Sequence, residues 1–379
     1  MDRIKEIIQS QKDFFTEVRH HLHQKPELSG NEYETATYIR SFLDAWHIPY
    51  ETAGQTSTVA LIEGTEKGRT LALRGDIDAL PISEETGLPW ASENPAVMHA
   101  CGHDVHTTFM LAAAKCLQEN REHLHGRVKI IFQEAEEIGQ GAKNIMAAGL
   151  LNDVDSIVAL HITQEVDMGV FSLGYETMSS FGAGGRVTIE AAGRDNPILA
   201  AGSYIFLVTS LASQRLPKSE QIVLVPTVVK TEKTAGGEAA KVTLSYNSRT
   251  LNFANEEAMQ SILQTAAEKT AQTFNCKINL ELRTPGNVVN NDRHFTDLAA
   301  SVIREHFGPE ALLFSRPVMS GEDFALYQKT IPGVFIHIGG AEDGIYRALH
   351  TSKTYVDDRI LPIGIEFLLR YVHAFFAEK

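Results

Sequence analysis

Three stretches of this chain carry side chains whose types and spacing could do chemistry. The first is Met98-His99-Ala100-Cys101-Gly102-His103-Asp104-Val105-His106, with a thiol and an imidazole two residues apart in what reads as a loop opening a helix. Both can then face one cation, and thiolate with imidazole suits transition metals rather than magnesium or calcium. A single Cys-x-His is often incidental, but Gly102 between the pair and the Asp104 carboxylate after it favour a metal. Asp104 could accept a hydrogen bond from a ligating imidazole, whereas His106 reads as a supporting or packed residue. The second stretch, Phe132-Gln133-Glu134-Ala135-Glu136-Glu137, ends an apolar run. Adjacent carboxylates on a strand point in opposite directions, so one could bind metal while its neighbour faces a substrate water. The plainer alternative is a solvated acidic turn, which the buried-looking strand before it disfavours. In the third, Leu73-Arg74-Gly75-Asp76-Ile77-Asp78-Ala79-Leu80-Pro81, the two aspartates could hold a metal ligand, orient a base or simply cap a turn. His161 and His350 stand alone at what read as strand ends, where a histidine is more often packed than ligating.

The elements that must position these residues read as alternating strands and helices. Apolar runs at Ser57–Ile62, Thr70–Leu73, Val128–Phe132 and Ser156–His161 predict strands, and Thr107–Leu117 and Ala142–Ala148 predict helices. Helical spacing from Ile4 to Trp46, broken at Lys25-Pro26-Glu27, predicts two helices there. The alternation implies an α/β fold with a mostly parallel sheet covered on both faces. Ligands of such sheets sit beyond the carboxyl ends of the strands, which is where the chemistry-bearing stretches fall. After about residue 183 the order becomes strand (Gly185–Ala191), helix (Pro197–Gln214), strands (Gln221–Lys230, Lys241–Thr250), helix (Glu256–Phe274) and strand (Lys277–Arg283). That is the ferredoxin-like α+β order. It predicts an inserted domain over 183–290, between the two parts of a catalytic domain at 1–182 and 291–379.

Bulk properties narrow the function classes. The 379 residues carry a net charge of −14, which disfavours nucleic acid as a partner. The N-terminal Met1–Phe15 scatters charges where a secretory signal would be apolar, and no uninterrupted apolar run approaches membrane-spanning length, so no membrane role is expected. Three scattered cysteines are too few for a disulfide framework, and a reducing, cytoplasmic setting is expected. A glycine-rich phosphate loop and a Gly-x-Ser-x-Gly elbow are both missing. Cys101 as a nucleophile fits less well than Cys101 as a ligand, given the histidines and clustered carboxylates around it.

Taken together, the motifs resemble the amidohydrolase branch of the co-catalytic metallopeptidases related to aminoacylase and carboxypeptidase G. Hippurate hydrolases, N-acetyldiaminopimelate deacetylases and auxin-conjugate hydrolases belong to that branch. Arg19-His20-His21-Leu22-His23-Gln24-Lys25-Pro26-Glu27-Leu28 resembles its opening Arg-x-x-Leu-His-x-x-Pro-Glu-Leu, and Arg74–Pro81 its Arg-Ala-Asp-x-Asp-Ala-Leu-Pro. Residues 99–106 match His-Ala-Cys-Gly-His-Asp-x-His, and Ser320–Phe324 and Ile331–Gly333 resemble the late Gly-x-Glu-Asp-Phe and Pro-Gly.

The resemblance implies a catalytic domain of co-catalytic metallopeptidase type with the insertion as a lid, often paired between subunits into a homodimer. It implies that Cys101, His103, Glu137, His161 and His350 bind two divalent cations (manganese, zinc, nickel or cobalt), with Glu136 as general base and Asp76 as supporting acid. Arg249 matches a lid arginine and could meet a substrate carboxylate, though a surface strand position explains it equally well. The implied reaction is hydrolysis of the amide bond of small N-acyl amino acids. The rivals are a dipeptidase or carboxypeptidase, and a binding protein that kept the metal site without turnover. This chain departs from the family in three places. Gly193–Pro197 stands where relatives carry Gly-x-Gly-Gly-His-Ala, Thr234–Glu238 where they carry Asn-Val-Ile-Pro, and Glu134 where they carry proline.

Overall fold

The computed structural model describes residues 3–190, 196–233, 239–282, 287–342 and 344–378. Residues 193–195 and 234–238, where the sequence departs from the family pattern, lie outside them. The chain separates into two compact units. One comprises Met1–Glu176, Val289–Arg316 and Asp323–Lys379; the other comprises Thr177–Val288 and Pro317–Glu322. The insertion therefore starts at Thr177 rather than 183, ends at Val288 rather than 290, and takes in a short later segment.

Among the described residues, the first unit forms an eight-stranded sheet. Its order is Tyr50–Ala53, Ser57–Glu63, His125–Gln133, Glu66–Asp76, Ser156–Asp167, Gly333–Ala341, Phe171–Leu173 and Leu312–Phe314. The four central strands, from His125–Gln133 to Gly333–Ala341, are mutually parallel. The margins are mixed. Tyr50–Ala53 and Ser57–Glu63 pair antiparallel because three residues join them, too few for a crossover. Ser57–Glu63 in turn runs antiparallel to His125–Gln133, and Phe171–Leu173 antiparallel to Gly333–Ala341. Successive residues of the central strands, such as Leu71 and Ala72, Ile130 and Ile131, Ile157 and Val158, and Val334 and Phe335, are buried, so both faces are covered as a parallel sheet requires.

Helices Arg3–Gln24, His103–Glu119 and Ile360–Ala377 pack against one another. Gly364 on the last of these lies against the Phe109 ring, and any side chain there would meet it. Two helices, Pro197–Arg215 and Ile360–Ala377, are long and apolar enough to cross a membrane by length and composition alone, which an uninterrupted-run criterion overlooks. In Ile360–Ala377 that apolar surface, including Phe367, Leu368, Tyr371 and Phe375, is buried within its own unit.

The second unit is a four-stranded antiparallel sheet in the order Lys277–Leu282, Phe181–Glu190, Ala239–Thr250, Ile222–Lys233. Helices Pro197–Arg215 and Phe253–Phe274 cover it, burying Val187, Ile189, Tyr204, Val242, Leu244, Ile262 and Leu263 together. Asn196 and Asn252 cap these helices, each accepting an amide N–H two residues on.

Candidate metal centre

The thiol and imidazole of the first motif are set by one glycine. Gly102 caps helix His103–Glu119 at φ +79°, a conformation that side chains other than glycine resist. His103 opens the helix with its Nδ1 directed at Asp78, 2.9 Å from the backbone O and 3.1 Å from Oδ1. With Nδ1 as donor, the lone pair lies on Nε2, which is buried and has no hydrogen-bond partner. His103 joins Cys101 Sγ and a Glu137 oxygen in one group of potential ligand atoms, all within 4.8 Å of one another. Asp78 is also the acceptor for Ser29 Oγ at 2.7 Å and Glu137 N–H at 3.1 Å. Burial alone would raise the Asp78 carboxyl, but its hydrogen bonds to His103, Ser29 and Glu137 N–H hold it below its usual value.

Glu136 and Glu137 do not diverge by strand pleating. Strand His125–Gln133 ends before them, and Ala135, at φ +52°, turns the chain instead. Glu137 Oε1 lies 3.4 Å from His350 Nε2. Glu136 is half-buried and close enough for its charge to act on the Cys101 thiol. His161 sits inside strand Ser156–Asp167 rather than at its end, and its Nδ1 donates to Ile162 O at 2.6 Å. Its Nε2 is thereby left facing Cys101 Sγ at 3.7 Å. His350 lies in irregular chain at φ +61°, fixed by its N–H to Ala100 O at 2.8 Å, with Nε2 3.2 Å from Cys101 Sγ. Cys101, His103, Glu137, His161 and His350 thus converge on one small volume.

The electrostatics suit cation binding. Burial pushes the Cys101 thiol far above its usual pKa, so it is no free thiolate nucleophile; a cation would reverse that. Burial also lowers His161, keeping its imidazole in the neutral form that ligates. A thiol, three imidazoles and a carboxylate form a donor set fit for transition metals.

Neighbouring residues fall into supporting positions. His106 Nε2 accepts the Ile162 N–H at 2.9 Å, which occupies its lone pair. Asp76 groups with His103, His106 and His161, and its carboxylate is held by Arg74 at 2.6 Å. The same guanidinium reaches Gln133 Oε1 and Asp323 Oδ1, at 2.9 and 2.8 Å. Asp104 is not the acceptor for a ligating imidazole; Arg19 Nε and His23 Nδ1 hold it, each at 3.0 Å, and Asp78 does that work. Nothing in the sequence separated Asp78 from Asp76, since both stand in one motif. Arg249 lies in the other unit, on strand Ala239–Thr250 opposite Gly182, and makes no ion pair among the described residues.

Residues 72–374 match the model of peptidase family M20/M25/M40. The chain is 32% identical over 355 residues to N-acetyl-L-cysteine deacetylase of Bacillus subtilis, covering 91% of this chain and 84% of that protein. It is 32% identical over 371 residues to IAA-amino acid hydrolase ILR1-like 2 of Arabidopsis thaliana, covering 93% and 83%. Among solved structures, a Bacillus subtilis dinuclear metal binding peptidase of the M20 family superposes with a TM-score of 0.81 at 29% identity, covering 96% of this chain and 98% of that one. The chain belongs to peptidase family M20/M25/M40.

Proposed function

We propose that this protein is a metal-dependent amidohydrolase that holds two divalent ions and cleaves the acyl–nitrogen bond of small N-acyl amino acids. The observation that carries the reading is the meeting of Cys101, His103, Glu137, His161 and His350 around one point. The named activities of its relatives, deacetylation of N-acetyl-L-cysteine and hydrolysis of IAA–amino acid conjugates, support an amide substrate.

Those five residues would hold the ions in this reading, with Cys101 Sγ 3.7 Å from His161 Nε2 and 3.2 Å from His350 Nε2. When bound, the ions lower the pKa of water and polarise the amide carbonyl. Glu136 takes a proton from the attacking water and delivers one to the departing nitrogen, which would otherwise leave as an unstable anion. Asp76, held by Arg74, supports the ligand imidazoles around it. Arg249 is the partner for the substrate carboxylate, a task its planar fork suits. All three cysteines are free, which fits a reducing compartment such as the cytoplasm.

The test is a panel of N-acetyl and N-benzoyl amino acids and plain dipeptides, assayed with manganese, zinc, cobalt or nickel. Release of free amino acid from the acylated substrates is expected, with Glu136→Ala lowering kcat by ~10²–10⁴-fold. Turnover of dipeptides alone would move the protein to the peptidases. Undiminished turnover in Glu136→Ala would remove that residue as the base.

A further inference from the structure

Glu134, which stands where relatives carry proline, is buried with 1% exposure, and Glu32, at the start of helix Tyr33–Ala45, with 0%. Buried carboxyl groups are rare unless partnered, and these two are partnered with each other's surroundings. Glu134 Oε2 accepts the backbone N–H groups of Gln55 and Thr56 at 2.9 and 2.6 Å, and Oε1 accepts Asn144 Nδ2 at 2.6 Å. Gly54, at φ +59°, makes room for this carboxylate; a side chain there would collide with it. Glu32 Oε1 accepts the N–H of Gly30 and of Ala135, each at 2.8 Å. Both residues then meet at Thr56, whose Oγ1 is 2.8 Å from Glu32 Oε2 and 2.8 Å from Glu134 Oε2.

We propose that Glu32 and Glu134 are positioning residues: a bracket of two buried carboxyl groups joined through Thr56, which fixes the left-handed turn at Ala135 and so aims Glu136 and Glu137. This rests on the reading of Glu136 as base and Glu137 as metal ligand. Ala135 is strained at positive φ and needs its surroundings to hold it there. Its N–H is fixed by Glu32, and the residue before it is fixed by the Gln55–Thr56 amides.

One hydroxyl hydrogen cannot serve two carboxylates fully, which points to one protonated carboxyl in the bracket. Thr56 has one hydroxyl hydrogen and faces two carboxyl oxygens. Glu134 collects the backbone amides of Gln55, Thr56 and Ser57 and the Asn144 amide, against two backbone amides at Glu32, so it is the ionised member and the hydroxyl donates to it. The close approach of Glu32 is made by a protonated carboxyl donating to the hydroxyl oxygen. Burial raises Glu32 above the usual range, while Glu134, raised by burial, is brought below it by Asn144, Thr56 and Gln55. A glutamine at 32 reproduces this arrangement, its carbonyl accepting from Ala135 and its amide donating to Thr56.

The experiment compares Glu32→Ala and Glu32→Gln with wild type. It measures manganese affinity by chelator competition, and kcat and KM on an N-acetyl amino acid. Glu32→Ala is expected to weaken manganese binding ~10–100-fold and to lower kcat by up to ~10²-fold, with KM little changed. Glu32→Gln is expected to match wild type in all three. Folded Glu32→Ala with wild-type affinity and kcat, or Glu32→Gln as damaged as Glu32→Ala, would overturn the bracket. If Glu32→Ala does not fold, Thr56→Val, which deletes only the shared hydroxyl, must weaken manganese binding. If wild type binds manganese but hydrolyses no amide, the functional reading fails while the affinity ranking still decides the bracket.

Discussion

Asp78 is the residue on which the geometry of the site turns. Its two carboxyl oxygens fix the orientation of His103 and the backbone of Glu137, two residues far apart in the chain. Replacing it with alanine leaves His103 Nδ1 only the backbone O of residue 78 and loosens the start of the Glu137 turn. Asp78→Ala is expected to lower divalent-ion affinity ~10–100-fold, read by chelator competition, while unfolding stays cooperative. At this scale Cys101 and His103 stood out as candidate ligands because unlike donor types stand two residues apart, whereas the choice of Glu137 over Glu136 came from the family resemblance alone. Asp78 did not stand out, because its neighbour Asp76 has the same chemistry, and only the fold shows which aspartate meets the imidazole and which meets Arg74. Asp104 misled for the same reason: it adjoins His103 in sequence, yet the helix turns it toward Arg19 and His23.

Between elements, a buried ionic network holds helix Arg3–Gln24 to the first turn of helix His103–Glu119 and to the chain beyond His350. Arg19 reaches Asp104, Asp358 and Val356 O, and His23 lies between Asp104 and Glu84. Burial lowers His23, but Asp104 and Glu84 outweigh it and raise the imidazole to about 9. A histidine raised in the folded state contributes fully below its unfolded pKa, near 6.5, and loses that contribution as pH rises through about 9. Asp104, depressed mainly by Arg19 and His23 against burial, keeps its contribution down through mildly acidic pH. Thermal stability is therefore expected to be highest below about pH 6.5 on the His23 side and to fall steadily toward pH 9. His23→Ala should flatten that alkaline decline and cost roughly 3 kcal/mol at neutral pH, measured by denaturant unfolding across pH. The motif containing Arg19 and His23 stood out in the sequence, but its partners Asp358 and Glu84 lie too far along the chain for spacing to link them. Of the central strands, Glu66–Asp76, His125–Gln133 and Ser156–Asp167 were legible because their apolar runs are continuous, whereas Gly333–Ala341 was not picked out. The mixed sheet margins were not, because Tyr50–Ala53 and Phe171–Leu173 are too short to carry a pattern.

Over the whole chain, the switch from α/β alternation to the ferredoxin-like order was legible, since helix and strand periods differ. The inclusion of Pro317–Glu322 in the second unit was not, because that segment joins it through contacts distant in sequence, such as Ser179 with Val318 and Ser180 Oγ with Ser320 O. That unit exposes Ile198, Leu199 and Phe206 on helix Pro197–Arg215, and Val225, Val228 and Val229 on the edge strand Ile222–Lys233. An apolar helix face and an edge strand are the kinds of surface that association with another chain would cover. The central claim concerns the other unit: that five side chains from separate elements hold two ions. Anomalous diffraction from manganese-loaded crystals tests it most directly. Two peaks ~3.5–4 Å apart, both within bonding distance of Cys101 Sγ, are expected; a single peak, or ions bound away from Cys101, would contradict it.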